Sequence, residues 1–168
     1  MTTLRIFDDN WKFYFKKERD NLLELFKKQD ISAIEHIGST SVVMCKAAGT
    51  IDILVSIPDT IEMFTIKNIL VSNGYKFIDS MSDMDCFVFM RVYNGKVVCT
   101  IRVMEHASEK YNDFMLFKYY LRSNRMNVKK YNEFREKILA KFNGDGKRYY
   151  EEKINYITNK VSSIKPQN

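Results

Sequence analysis

Two short runs constrain this chain more than anything else in it. The first is Glu35-His36-Ile37-Gly38-Ser39-Thr40-Ser41-Val42, and the second, after a brief connection, is Thr50-Ile51-Asp52-Ile53-Leu54-Val55. Both are rich in β-branched residues, and Pro58 ends the second, so strands are predicted at 31–37 and 51–57. A strand that stops at Gly-Ser and turns offers backbone N–H groups and hydroxyls to an anion. A carboxylate on the neighbouring strand can then hold a cation against that anion. The hydroxyls of Gly38-Ser39-Thr40-Ser41 are placed to cap a short helix over 41–48, whose dipole would favour phosphate. Gly-Ser alone is common. Joined to a following strand with Asp52, it is more specific and marks a phosphate site.

The rest of the chain supplies a frame for that pair of strands. Asp8, Asp9 and Asn10 offer cap oxygens to an amphipathic helix over 10–28, with Trp11, Phe15, Leu22, Leu25 and Phe26 near the 3.6-residue period. Its opposite face carries Lys12, Lys16, Lys17, Lys27 and Lys28, and such a face is more often solvated than bound to nucleic acid. A helix over 59–73 follows, with Asp59 and Thr60 as caps and Asn73-Gly74 as a left-handed stop. Asn94-Gly95 between two β-type runs specifies a hairpin over 87–93 and 96–104. Three helices are predicted near 109–123, 127–142 and 147–163. In the last, Tyr150, Ile154, Ile157, Val161 and Ile164 form one apolar stripe suited to core packing. The sum is an α+β fold: a small mixed sheet of four or five strands with flanking helices and a helical C-terminal third. It reads as one domain over 1–168, sheet-bearing to about 106 and helical from about 107.

Composition excludes several alternatives. The 168 residues are 45% hydrophobic and 29% charged, enough to bury a core without a staple. Three cysteines, Cys45, Cys86 and Cys99, are an odd number without a CxxC, and only His36 and His106 could join them at a metal. Free thiols in a reducing cytoplasm are therefore expected, not a disulfide framework or structural zinc. No apolar stretch reaches the ~18 residues of a membrane span, and charge from Arg5 onward argues against a signal peptide. A net charge of +6 favours anionic partners without demanding nucleic acid.

These runs resemble the GrpB family of the nucleotidyltransferase superfamily. Phe7-Asp8-Asp9-Asn10-Trp11 and Glu18 look like its opening Tyr-Asp-Pro-x-Trp and helix glutamate, and Glu35 to Val42 is similar to its Glu-His-Ile-Gly-Ser-Thr-Ser-Val signature. Ile51 to Val55 resembles its Ile-Asp-Ile-Leu-Val strand, and Leu116 to Arg122 its Phe-Arg-Asp-Tyr-Leu-Arg helix. Tyr131, Arg135, Tyr149 and Lys153 fit its final helices. The resemblance implies a nucleotidyltransferase-like fold, a pocket for a nucleotide or another phosphate-bearing small molecule, and Mg²⁺ as cofactor if the chain transfers nucleotidyl groups. It equally admits a catalytically degenerate binding or folding-assistance module, since family domains occur fused to dephospho-CoA kinase.

The departures from the family pattern bear on mechanism. Where members read Pro-Gly-Leu-Ala-Ala-Lys-Pro-Ile, this chain has Val43 to Thr50; the family lysine falls on Ala48, with Lys46 two residues away. A family histidine falls on Arg102, which can bind phosphate but not Mg²⁺. The superfamily's Asp-x-Asp spacing places both carboxylates on one face of a strand, and here it falls on Asp52 and Leu54. Two-metal transfer normally uses two or three carboxylates, and the other candidates, Asp83, Asp85 and Glu105, sit at strand ends. The expected site is therefore Asp52 as metal ligand and catalytic carboxylate, His36 as a hydrogen-bonded structural histidine or else as an acid, base or loop-orienting group, and Gly38, Ser39, Thr40, Ser41, Lys46 and Arg102 around the phosphate. A carboxylate grafted at Leu54 is expected to strengthen metal binding.

Overall fold

The computed structural model describes residues 3–165. The amphipathic segment forms α1 (Asn10–Leu25), and a turn through Phe26 carries the chain into β1 (Ala33–Ile37). Next come β2 (Ile51–Ile57), α2 (Met63–Ser72), the short β3 (Lys76–Phe77), and the hairpin of β4 (Phe87–Tyr93) and β5 (Lys96–Glu105). Three helices close the fold: α3 (Glu109–Ser123), α4 (Arg125–Lys141) and α5 (Gly146–Ile164). Asn94 and Gly95 adopt φ of 48° and 71°, the left-handed pair that a tight hairpin turn requires. Side-chain caps set the last helices: Ser108 accepts from Tyr111 N–H, Asn124 from Met126 N–H, and Asp145 from Lys147 and Arg148 N–H.

The five strands run in the order β1-β2-β5-β4-β3, with β2 and β5 parallel and every other pair antiparallel. Alternation then sorts the sheet into two faces. Ile51, Ile53, Val55, Ile101 and Val103 point to α1 and α2, where they form the main core with Trp11, Leu22, Ile66 and Leu70. Ile37, Leu54, Val88 and Met104 point the other way, under Met115 of α3. A third cluster joins α3, α4 and α5 to the segment after β1 through Val42, Cys45, Phe117, Leu121 and Tyr131. Asp52 and Arg102 belong to the α3 face, at the point where parallel β2 and β5 lie side by side.

Four expectations change. The helix over 41–48 is a 3-10 turn of three residues, Ser39–Ser41, and the chain after it is irregular, with Met44 at φ 67° and Gly49 at φ 93°. Its backbone is used elsewhere: Ala47 N–H donates to Arg5 O, and Asn132 accepts from Lys46 N–H. Among the described residues, no α-helix begins at the Gly-Ser turn to offer it a dipole. The helix predicted over 59–73 begins only at Met63, because Glu62 is extended and no side chain caps the earlier residues. The apolar stripe of α5 is half-buried along much of its length, lining a cavity instead of packing fully into the core. The thiols of Cys45, Cys86 and Cys99 are buried and free. The first helix ends at Leu25 and not at 28; Lys12 pairs with Asp9 just before it, and Lys27, just after it, with Glu24. Among the described residues, no helix is long and apolar enough to cross a membrane.

Candidate functional site

Gly38 leaves β1 at φ 70°, a left-handed value that glycine takes without strain. It is also pressed against the next strand, since a Cβ built there would sit 2.6 Å from Asp52 Oδ2. Because Ile37 faces Asp52 in the β1–β2 register, the Gly-Ser turn lies directly over that carboxylate. Arg102 reaches Asp52 from the neighbouring strand, its Nη1 donating to Oδ1 at 3.1 Å, with the two side chains only 10% and 25% exposed. Such a pair is screened less than a surface ion pair.

Around this pair lies a small cleft of about 60 Å³, lined among others by Gly38, Ser39, Asp52, Arg102, Tyr131 and Lys153. Lys153 stands on α5. Burial is the first reason its pKa is lowered; Asp52 opposes that, while Arg102 and Arg135 add to it. Arg135 is 1% exposed, lies 4.3 Å from the Tyr131 ring, and donates to Asn132 Oδ1 at 3.0 Å and to the Lys46 carbonyl. It has no carboxylate partner among the described residues, and its Nε is unpaired there. One carboxylate, Asp52, thus shares the cleft with Arg102, Lys153 and Lys118, the last already paired with Glu35, and Arg135 lies close enough to Lys153 to lower its pKa further. A buried excess of positive charge of this kind favours an anion.

The other predicted groups are placed elsewhere, each for a stated reason. His36 points to the α1 face, stacked on Phe15 at 4.5 Å with Nε2 2.9 Å from Thr40 Oγ1. Burial lowers its pKa to about 4, and Lys118 and Arg122 push the same way against Asp52. Thr40 is thereby committed to His36, and Ser41 Oγ donates to Gly38 O at 2.7 Å, which stitches the turn. Neither residue lines the cleft, whereas Ser39 does. Lys46 is bound to Glu136 on α4, in a separate groove, so it does not replace the missing family lysine. Lys118, which also lines the cleft, pairs with Glu35 at 2.7 Å, and Arg122 donates to Ser41 O at 2.8 Å, so α3 braces the turn.

The cleft holds Lys153 of α5, and not the Lys46 expected from the sequence. The only signal of Lys153 in the sequence is its fit to the family's final helix.

The donor set also decides how a metal would fare. Leu54, at the second carboxylate position, is fully buried beneath α3 with Ile37, Met104 and Met115. Asp83 and Asp85 are tied to Lys110. No group of three or more His, Cys, Asp or Glu side chains that could hold a metal occurs among the described residues. Asp52 can offer one oxygen to a cation delivered with a ligand, but the residues present do not fit a bridging pair of ions.

Comparison with known proteins places this geometry. The family model described as "GrpB protein" matches residues 2–162. A curated relative, glutamate-rich protein GrpB of Alkalihalophilus pseudofirmus, is 27% identical over 154 residues, covering 89% of this chain and 87% of its own length. The crystal structure of the conserved protein GrpB from Enterococcus faecalis superposes with a TM-score of 0.83 at 18% identity, over 96% of both chains. The Cid1 poly(U) polymerase with Mg 3′-dATP bound superposes with a TM-score of 0.57 at 14% identity. That match covers 92% of this chain and 49% of the polymerase, so this chain corresponds to about half of that protein. The likeness shows a nucleotidyltransferase-like fold.

Proposed function

The chain belongs to the GrpB family, and we propose that it binds a phosphate-bearing small molecule, nucleotides included, in the cleft between the Gly38–Ser39 turn, Asp52, Arg102 and Lys153, without depending on a bridging pair of metal ions. The observation that carries this reading is the Arg102–Asp52 ion pair at 3.1 Å. In a nucleotidyl transferase the cation between carboxylate and phosphate is a metal; here a guanidinium already occupies one Asp52 oxygen. Arg102 and Lys153 then supply the charge that a phosphate needs. Arginine offers it as a planar fork of donors, and lysine as a compact point charge.

Ser39 and the backbone of the turn would complete the seat from the β1 side. A phosphate there also relieves the mutual repulsion of Lys153, Arg102 and Arg135, and so raises the Lys153 pKa on binding. Affinity is accordingly expected to fall as pH rises through that lowered pKa. A lone Mg²⁺ arriving on a nucleotide would find one protein oxygen in Asp52 and take its other ligands from phosphate and water. That arrangement makes Mg²⁺ an accessory to binding.

Calorimetry with inorganic phosphate and with ATP, each in EDTA and in Mg²⁺, tests this. Binding should persist in EDTA, and Lys153→Met should weaken it about tenfold or more while the far-UV spectrum is unchanged. Binding seen only with Mg²⁺, or untouched by Lys153→Met, would overturn the reading.

The nucleotidyltransferase-like fold favours a second reading, slow Mg²⁺-dependent transfer to an acceptor. Mg²⁺-dependent release of pyrophosphate from an NTP, however slow, that is lost in Asp52→Asn would establish it instead.

A further inference from the structure

The cleft does not end at Arg102. A second, larger cavity of about 290 Å³ opens on its far side, between the sheet and the outer turns of α3 and α5, and the two share Arg102, Phe114, Ile154 and Ile157 as common walls. The larger cavity is where the apolar stripe of α5 emerges. Ile154 and Ile157 face Val88 and Cys86 of the sheet region across it, and Phe114 lies beneath the Arg102 guanidinium at 5.4 Å.

Its charged rim is already matched internally. Asp83 is held by Lys110, and Asp113 by Lys165 at 2.6 Å, so these groups spend their charge on each other. Tyr150 adjoins the guanidinium from the α5 side. The surface left for a ligand is therefore mainly aliphatic and aromatic, with a cation at its inner end.

The sizes point the same way. A seat of about 60 Å³ has room for a few water molecules, the scale of one phosphoryl group and not of a triphosphate. The adjoining 290 Å³ approaches the lower end of the ~300–1,000 Å³ range of small-molecule cavities. Covering half-buried apolar side chains from water supplies binding energy that phosphate alone cannot.

We infer that the ligand is a phosphate monoester with a compact, mainly apolar or aromatic body: the phosphate sits at Ser39, Arg102 and Lys153, and the body fills the cavity beyond Arg102. The inference rests on the phosphate reading above and adds the identity of the organic part. A nucleoside triphosphate fits less well, having three phosphoryl groups for one seat and a base whose polar edge would meet few free partners.

The test is a calorimetric comparison of inorganic phosphate, 1-naphthyl phosphate, AMP and ATP against the wild type and Thr158→Trp, a rim substitution that fills the larger cavity without touching the seat. Naphthyl phosphate should bind at least tenfold tighter than inorganic phosphate and tighter than AMP, and ATP no tighter than AMP. Thr158→Trp should remove the naphthyl advantage and leave inorganic phosphate within about twofold.

Naphthyl phosphate binding no tighter than inorganic phosphate, an advantage that survives Thr158→Trp, or tenfold tighter binding of AMP or ATP would each overturn the inference while leaving the phosphate site standing. Failure of the wild type to bind inorganic phosphate or any of the esters would instead remove the reading on which it rests.

Discussion

Asp52→Asn separates a cation-lined phosphate site from a metal site, because the two demand opposite outcomes. In the structure Asp52 is the one acidic group among the residues lining the cleft, and it shares that cleft with Arg102 and Lys153. A phosphate seated against Ser39 and Arg102 lies within about 5 Å of the carboxylate, and two like unit charges at that distance repel by roughly 3 kcal/mol at an effective dielectric of about 20. Asp52 is a quarter exposed, so solvent reduces that figure. Replacing the carboxylate by its isosteric amide should therefore tighten metal-free phosphate binding by about 10- to 100-fold, at roughly 1.4 kcal/mol per decade. The amide oxygen still accepts from Arg102, which keeps the fold, although the weakened buried pair should lower thermal stability by about 1–3 kcal/mol. The assay is calorimetry with inorganic phosphate in EDTA, with thermal unfolding as the control. Weaker binding by a folded Asp52→Asn protein, or binding that is Mg²⁺-dependent in the wild type and lost in the variant, would refute the reasoning and restore Asp52 as an essential metal ligand.

Other perturbations probe the scaffold of the site. His36 is held at a pKa of about 4 by burial, against an ordinary 6.5. The unfolded chain therefore takes up a proton before the native one, and stability should drop as pH falls from about 6.5 to about 4. The loss is on the order of 3 kcal/mol; urea titrations across that window should show it, and His36→Gln should flatten it. Gly38→Ala forces a Cβ to 2.6 Å from Asp52 Oδ2 at φ 70° and should cost about 2–3 kcal/mol, with loss of phosphate binding in whatever folds; an unchanged melting temperature would contradict the close approach. Leu54→Asp, attractive on paper as a second metal ligand, places a charge in the apolar layer under α3. It should destabilise the protein by several kcal/mol without creating Mg²⁺ affinity, and a folded variant that binds Mg²⁺ tightly would show that this layer opens to the cleft.

Much of the frame was legible in local chemistry. Asn94-Gly95 names its own turn because only a left-handed pair closes so tight a hairpin, and the period of Trp11, Phe15, Leu22 and Leu25 names a helix because those side chains share one face. Gly38 and Asp52 were likewise readable as partners, since a strand ending in Gly-Ser beside a strand bearing Asp leaves few other arrangements. The expectation of a helix after Ser41 failed because the segment's donors are claimed by distant groups, Arg5 and Asn132, which no local pattern announces.

The sequence by itself thus determined most of the secondary elements, the Gly-Ser turn and the strand carboxylate beside it. Only the tertiary structure decided which side chains meet there. Alternation put His36 on the opposite side of the sheet from Asp52, and burial left it neutral and bonded to Thr40. The hydroxyls of Thr40 and Ser41 closed the turn on itself instead of facing a ligand. Lys46, near the motif in sequence, went to Glu136, whereas Lys153, far from it in sequence, came to lie beside Asp52 because α5 folds back over the sheet. The physical reason is common to all of them. Periodicity and turn propensity act over a few residues, while charge and hydrogen-bond partners are chosen among all the groups that packing brings within a few ångströms.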